Sequence, residues 1–160
     1  MKKLQLLTLM VFIGSSLTAQ DDVIRIRNCS DSAITRQADS IRTELLAGGF
    51  KMVREAMVGM ESEYELPIIV PLTGGEWYQI VFIGNLTSKL YEVRMYDYGE
   101  KQVVYKKNQS GENIIHYSYL PVSSQHHMIK PLQVNKKQKK NLCGCVMLLQ
   151  KQVTKVERGT

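Results

Sequence analysis

None of the short signatures that announce a catalytic machine occurs in these 160 residues. There is no Gly-x-Ser-x-Gly elbow, no His-Glu-x-x-His pair and no phosphate-binding glycine loop, which removes the commonest hydrolase, metalloprotease and nucleotide-binding readings. Internal repeats and low-complexity tracts are missing as well. The apolar run from Leu4 to Ile13 falls short of the roughly 20 residues that a bilayer-spanning helix needs. Cysteines number only three, and Cys143-Gly144-Cys145 lacks the two-to-four-residue spacer of structural zinc sites. In an extended strand, His126 and His127 point to opposite faces, so at most one could join both sulfurs. No metal and no cofactor is expected.

What is present begins with a leader. Lys2 and Lys3 precede the apolar run, and Gly14, Ser15, Ser16 and Leu17-Thr18-Ala19 follow it. Charge, apolar core and small residues in that order make residues 1–19 a secretory signal peptide, with cleavage expected after Ala19. Gln20 rather than cysteine follows, so the mature chain is expected to be secreted or periplasmic, released and not lipid-anchored. Without Lys2 and Lys3, 19 basic residues face 15 acidic ones, and the formal charge falls from +6 to +4. The remaining excess gathers in Lys136, Lys137, Lys139 and Lys140. Such a cluster can contact anionic polysaccharide, lipid headgroups or nucleic acid, or it can be a solvated loop that keeps a sheet end soluble. The solvated loop is favoured, because no aromatic residue interleaves the lysines to stack on bases. Nucleic acid is not an expected partner.

The organising stretch is Trp77 to Tyr98, two runs rich in β-branched and aromatic residues on either side of Gly84-Asn85. It reads as a β-hairpin at the centre of a sheet. Alternation sets Tyr78, Ile80 and Phe82 against Trp77, Gln79 and Val81, and Tyr91, Val93 and Met95 against Glu92, Arg94 and Tyr96. Upstream, Asp21 to Asn28 alternates apolar and basic residues as a brief strand or ordered lead-in. Ser30, Asp31 and Ser32 then offer N-caps, Ile34, Ala38, Ile41 and Leu45 recur at helical spacing, and Gly48-Gly49 supplies a stop. A helix over 32–47 follows, within a segment of 20–49. Residues 50–60 fit helix or strand. Downstream, short strands recur every 8 to 12 residues through Val103-Val104-Tyr105, Ile115 to Tyr119, Met128 to Val134 and Cys143 to Val153. Pro131 argues for an edge position in the third of these, and the apolar last strand for a central one. The predicted fold is α+β, mainly β: an N-terminal helix packed on an antiparallel sandwich of about seven or eight strands over 50–153, with a tail of 154–160.

From Leu66 to Gln152 the chain resembles the β-sandwich modules of secreted bacterial proteins, similar to the pre-peptidase C-terminal domain. Gly75, Tyr78, Ile80, Phe82, Leu90, Val93, Met95, Tyr96, Asp97 and the closing Cys145-Val146-Met147-Leu148 carry the likeness. The resemblance implies a non-catalytic accessory or binding module. Such modules are usually appended to an enzyme, whereas this chain carries a helix and no catalytic domain.

Among side chains that could bind, Trp77, Tyr91, Tyr96 and Tyr98 offer aromatic faces that stack on sugar rings or grip a peptide. The competing reading is that they fill the core or pair across strands. A hydrolase would use His116, with Ser118 on its strand face and Asp97 as a third member, or His127. Glu61, Glu63 and Glu65 read as a solvated rim and not as a glycosidase pair. Three Asn-x-Ser/Thr triplets, at Asn28, Asn85 and Asn108, are read as chance beside a leader of bacterial type. Export favours oxidation, so Cys29 is expected to bridge to Cys143 or Cys145, with Cys145 preferred as the deeper position. The functional expectation is an exported binding or accessory module for glycan or envelope protein, with a small secreted hydrolase as the alternative.

Overall fold

Capping chemistry starts the helix where the sequence predicts. In the computed structural model, which describes residues 28–109 and 111–152, α1 spans Ser32–Ala47. The Asp31 carboxylate accepts from the amides of Ala33 and Ile34 at 2.9 and 3.2 Å, satisfying two donors that a helix start leaves unpaired. Gly48 closes the far end by donating to Glu44 O at 2.9 Å. The expected signal peptide, residues 20–27 of the lead-in and the 154–160 tail lie outside the described residues.

Eight strands follow, β1 (Phe50–Met60), β2 (Ile68–Leu72), β3 (Tyr78–Gly84), β4 (Leu90–Tyr96), β5 (Gln102–Gln109), β6 (Ile114–Tyr119), β7 (Gln125–Val134) and β8 (Leu142–Lys151). They form two antiparallel four-stranded sheets, ordered β1-β8-β3-β6 and β2-β7-β4-β5. Between the sheets lies one core, with Val58, Ile80, Phe82, Val146 and Leu148 of the first meeting Val70, Tyr91, Val93, Met95 and Ile129 of the second. A second core lies on the outer side of the first sheet, where Ile34, Ala38 and Leu45 of α1 cover Val81, Ile83, Cys145, Met147 and Leu149. Hence β8 is buried from Leu142 to Leu149: odd positions face the helix and even ones the opposite sheet. That doubly covered position explains its unbroken apolar run.

One open segment is settled and two expectations change. Residues 50–60 are strand β1, and their helix-like spacing comes from a bulge between Met52 and Arg54. The extra residue flips the alternation, so that Met52 before it and Met57 after it both pack toward the helix. The expected hairpin does not exist, because β3 and β4 belong to opposite sheets. Residues 85–89 cross between them, pinned by Gln133, whose Oε1 accepts from Asn85 N at 2.9 Å and Ser88 Oγ at 3.0 Å. Gln133 Nε2 donates to Cys143 O at 3.1 Å, tying β7 to β8 through the core. Finally, β7 is central, not an edge. Its Pro131 carbonyl accepts from Leu66 N at 3.0 Å, on the side where β2 has already ended at Ile68. A residue's N and O point to the same neighbour in an antiparallel ladder, so the missing N–H of Pro131 faces Leu66, beyond β2, and removes no bond to β4.

The disulfide joins Cys29 to Cys143, with Cα atoms 5.8 Å apart, and the preference for Cys145 is corrected. Cys29 precedes the helix cap, which sits over the start of β8, so it reaches only the first cysteine of that strand. Cys145 lies one side-chain repeat deeper, beneath the helix, as a buried free thiol, and burial pushes its pKa up to about 12.

Candidate ligand-binding face

Because α1 occupies the outer side of the first sheet, the outer side of the second sheet is left uncovered among the described residues, and its side chains are set by pairing register. Three rungs run across it. Ile69, Met128, Tyr96 and Gln102 make one, Lys130, Arg94 and Tyr105 the next, and Leu132, Glu92 and Lys107 the third. Partners in a rung share a face and stand side by side.

An ion-pair network braces this surface. Arg94 donates to Glu65 at 2.7 Å and to Glu92 at 2.9 Å. Lys130 lies 3.4 Å from Glu65, and Lys107 lies 3.6 Å from Glu92. Burial works against the Arg94 charge, yet the Glu65 and Glu92 carboxylates outweigh it and raise its pKa. Two of the cations also lie over rings: Lys130 Nζ is 5.0 Å from the Tyr96 centroid, and Arg94 Cζ is 5.7 Å from that of Tyr105. Each tyrosine thus has one neighbour fixing it. Tyr105 is 47 % exposed. The sequence reading did not nominate it, although its alternation with Val104 and Lys106 on a short strand marks a residue facing away from the core.

The four aromatic candidates separate. Tyr96 stands on the open face. Tyr91 is fully buried, its hydroxyl donating toward Asn85 O and Ser88 O, and as a binding residue it is corrected: it belongs to the core. Trp77 and Tyr98, 51 % and 77 % exposed, sit at one end of the sandwich, in the segments before β3 and after β4. Strand directions put the lysine loop at the other end, between β7 and β8. There the Asn135 side chain accepts from the amides of Lys137 and Gln138, both at 3.0 Å, and Gln138 Nε2 donates to the carbonyls of Lys140 and Asn141. Lys136, Lys137, Lys139 and Lys140 are exposed on this ordered loop, and Lys139 lies 3.1 Å from Glu63.

The residues of the hydrolase reading are not brought together. His116 is exposed, and its Nε2 lies 2.7 Å from Gln79 Oε1, while Gln79 Nε2 donates to Ser118 Oγ at 2.8 Å. Burial lowers the His116 pKa against a smaller raising effect of the Glu44 carboxylate, and among the described residues no carboxylate is hydrogen-bonded to this chain. His127 is buried, with Nδ1 3.3 Å from Gln125 O and Nε2 3.1 Å from the Tyr119 hydroxyl. Burial lowers its pKa, against the smaller raising effects of the Gln125 carbonyl and Asp97. A neutral ring that donates through Nδ1 and accepts through Nε2 satisfies both contacts. Asp97 follows β4 and acts on His127 and Tyr119; the carboxylate that acts on His116 is that of Glu44. Among the described residues no group of three or more His, Cys, Asp or Glu side chains is arranged to hold a metal.

No family model matches the sequence, and no curated protein matches it. Among solved structures, AlgX of Pseudomonas aeruginosa is similar with a TM-score of 0.41 and 9 % identity, over 64 % of this chain and 27 % of AlgX. A CBM4 structure matches with a TM-score of 0.34 and 8 % identity, over 63 % of this chain and 90 % of that one. The lectin domain of lectinolysin, solved with Lewis B antigen, matches with a TM-score of 0.34 and 12 % identity, over 62 % of this chain and 72 % of that domain.

Proposed function

We propose that this chain is an exported, non-catalytic module that binds glycan on the open face of its second sheet. The observation that carries the reading is the pairing of Tyr96 and Tyr105 with a fixed set of donors and acceptors, Arg94, Lys130, Glu92 and Glu65, on a sheet face that the described residues leave bare. Sugar rings present C–H patches that stack on aromatic faces, and hydroxyls that hydrogen-bond to carboxylate and guanidinium groups. A network already held in place loses little freedom when a ligand docks.

Export is supported by the leader pattern of residues 1–19 and by the Cys29–Cys143 bond; among the described residues no helix is long and apolar enough to cross a membrane. The resemblance of residues 66–152 to the pre-peptidase C-terminal domain supplies the class of role, an accessory binding module at the cell envelope. A hydrolase working through His116 or His127 has no support in the geometry above.

The test is a glycan array probed with mature protein and with Tyr96→Ala, Tyr105→Ala and Trp77→Ala variants. Binding should be lost with either tyrosine variant and kept with Trp77→Ala, which lies off the face. Retention of no glycan at all, or loss with Trp77→Ala alone, would sink the reading. Binding to envelope protein only would replace the ligand class, and turnover of an ester or peptide would favour the hydrolase.

A further inference from the structure

Glu65 belongs to two places at once. Its carboxylate binds Arg94 and Lys130 on the open face, and the residue also lines a cleft of about 460 Å³ at the lysine-loop end of the sandwich. The cleft walls are mixed: Met60, Leu66 and Leu142 are apolar, while Asn28, Glu61 and Asn141 carry polar groups. Tyr64, 70 % exposed, completes the lining. Its volume lies within the roughly 300–1,000 Å³ of small-molecule sites.

The rim is built and held. Glu63 N donates to Gln133 O and Leu66 N to Pro131 O, both at 3.0 Å, so residues 63–66 continue the second sheet beside β7, past the end of β2. Ser62 N donates to Lys139 O at 2.8 Å, and Ser62 Oγ donates to Asn135 O at 3.1 Å. The Cys29–Cys143 bond fixes the opposite wall.

We infer that this cleft is a second sugar subsite, continuous with the open face through Glu65, which takes the end of a glycan chain lying across Tyr96 and Tyr105. The inference rests on the glycan reading of that face. An apolar floor with a polar rim matches the amphipathic faces of a sugar ring, and Tyr64 supplies a stacking surface. Glu61, Asn28 and Asn141 offer acceptors and donors for hydroxyls. The occupant is a saccharide because the cleft adjoins the face proposed to bind glycan and shares Glu65 with it.

The experiment is calorimetric titration with a size series, disaccharide to hexasaccharide, of the polysaccharide that the array retains, using wild type, Tyr64→Ala, Glu61→Gln and Tyr105→Ala. Wild-type affinity should rise with chain length. Tyr64→Ala should flatten that rise, losing about three- to tenfold on the hexasaccharide, the range of one aromatic contact, and nothing on the disaccharide. Glu61→Gln should act in the same direction, while Tyr105→Ala weakens every length. If Tyr64→Ala and Glu61→Gln bind the hexasaccharide like wild type while Tyr105→Ala does not, the cleft is no subsite and the face stands. Equal loss on disaccharide and hexasaccharide with Tyr64→Ala overturns the inference too, since the cleft would then be the primary site. If wild type binds none of the series, the reading of the face fails first.

Discussion

Removing the Cys29–Cys143 bond by Cys29→Ala should lower stability more than any surface change in this protein. The bridge spans a sequence separation of 114, for which the chain-entropy relation gives about 4.8 kcal/mol, an upper figure because real bridges often deliver less. Domains of this size are stable by only about 5–15 kcal/mol in total, so the variant should melt roughly 10–20 °C below the oxidised protein. Wild type held in reductant should fall by a similar amount, and Cys29→Ala should be indifferent to reductant. Equilibrium urea unfolding with and without dithiothreitol, beside thiol counting in unreduced denatured protein, reads both. One alkylatable thiol is expected, Cys145, the cysteine that the described structure leaves free. The companion variant Cys143→Ala should not re-bridge onto Cys145, which lies beneath α1 with its thiol pKa pushed up to about 12, leaving little thiolate to react. Three alkylatable thiols, or a Cys29→Ala melt within about 0.5 kcal/mol of wild type, would refute the reasoning.

Gly84→Ala would set a Cβ 2.5 Å from the Tyr91 ring; thermal unfolding should show a loss of about 1–3 kcal/mol from overpacking. Replacing Lys136, Lys137, Lys139 and Lys140 with glutamine should leave the melting curve within about 0.5 kcal/mol, because the loop is held by Asn135 and Gln138. Its retention on heparin should change little, and any loss should be mimicked by added salt; a large loss of stability would mean that the lysines pack. His127 is held below its ordinary value of 6.5, chiefly by burial. The unfolded chain therefore binds the proton first, and the stability of the neutral ring is full above 6.5 and declines as pH falls through the depressed folded value. Urea midpoints at pH 7.5 and 5 should converge in His127→Gln relative to wild type, with His116→Gln as the comparison for the other lowered histidine; an unchanged acid slope in His127→Gln would contradict the assignment.

Alternation tells which face a strand residue takes but not which strand lies beside it, and the errors follow that line. The split of Tyr91, Val93 and Met95 from Glu92, Arg94 and Tyr96 was legible, and so was the central place of β8. Pairing β3 with β4 was wrong because Gly84-Asn85 is a turn signal that serves equally for a crossing between sheets. Gly84 is there for the approach of the Tyr91 ring, a contact absent from any local pattern. Pro131 misled because its cost depends on where a neighbouring strand ends. The open face was half legible: alternation turned Glu92, Arg94 and Tyr96 away from Tyr91, Val93 and Met95, while the place of Tyr105 beside Arg94 and the Glu65–Arg94–Glu92 network needed the register of the strands. Cys143 over Cys145 turned on where the helix begins over β8, a distance that spacing along the chain does not contain.

The position of β8 also sets a timetable. β1 and β3 touch through it and are not paired with each other, so the first sheet has no centre until residues 142–151 exist. At about 5–20 residues per second, roughly 4–16 s pass between the appearance of β1 and that of its partner. During that interval α1 lacks the middle strand of the platform it docks on, and Cys29 has no cysteine to bridge. The joining of β1 to the β3–β6 pair must therefore wait for the last strand, and a chain stopped just short of Leu142 would hold neither that junction nor its clasp.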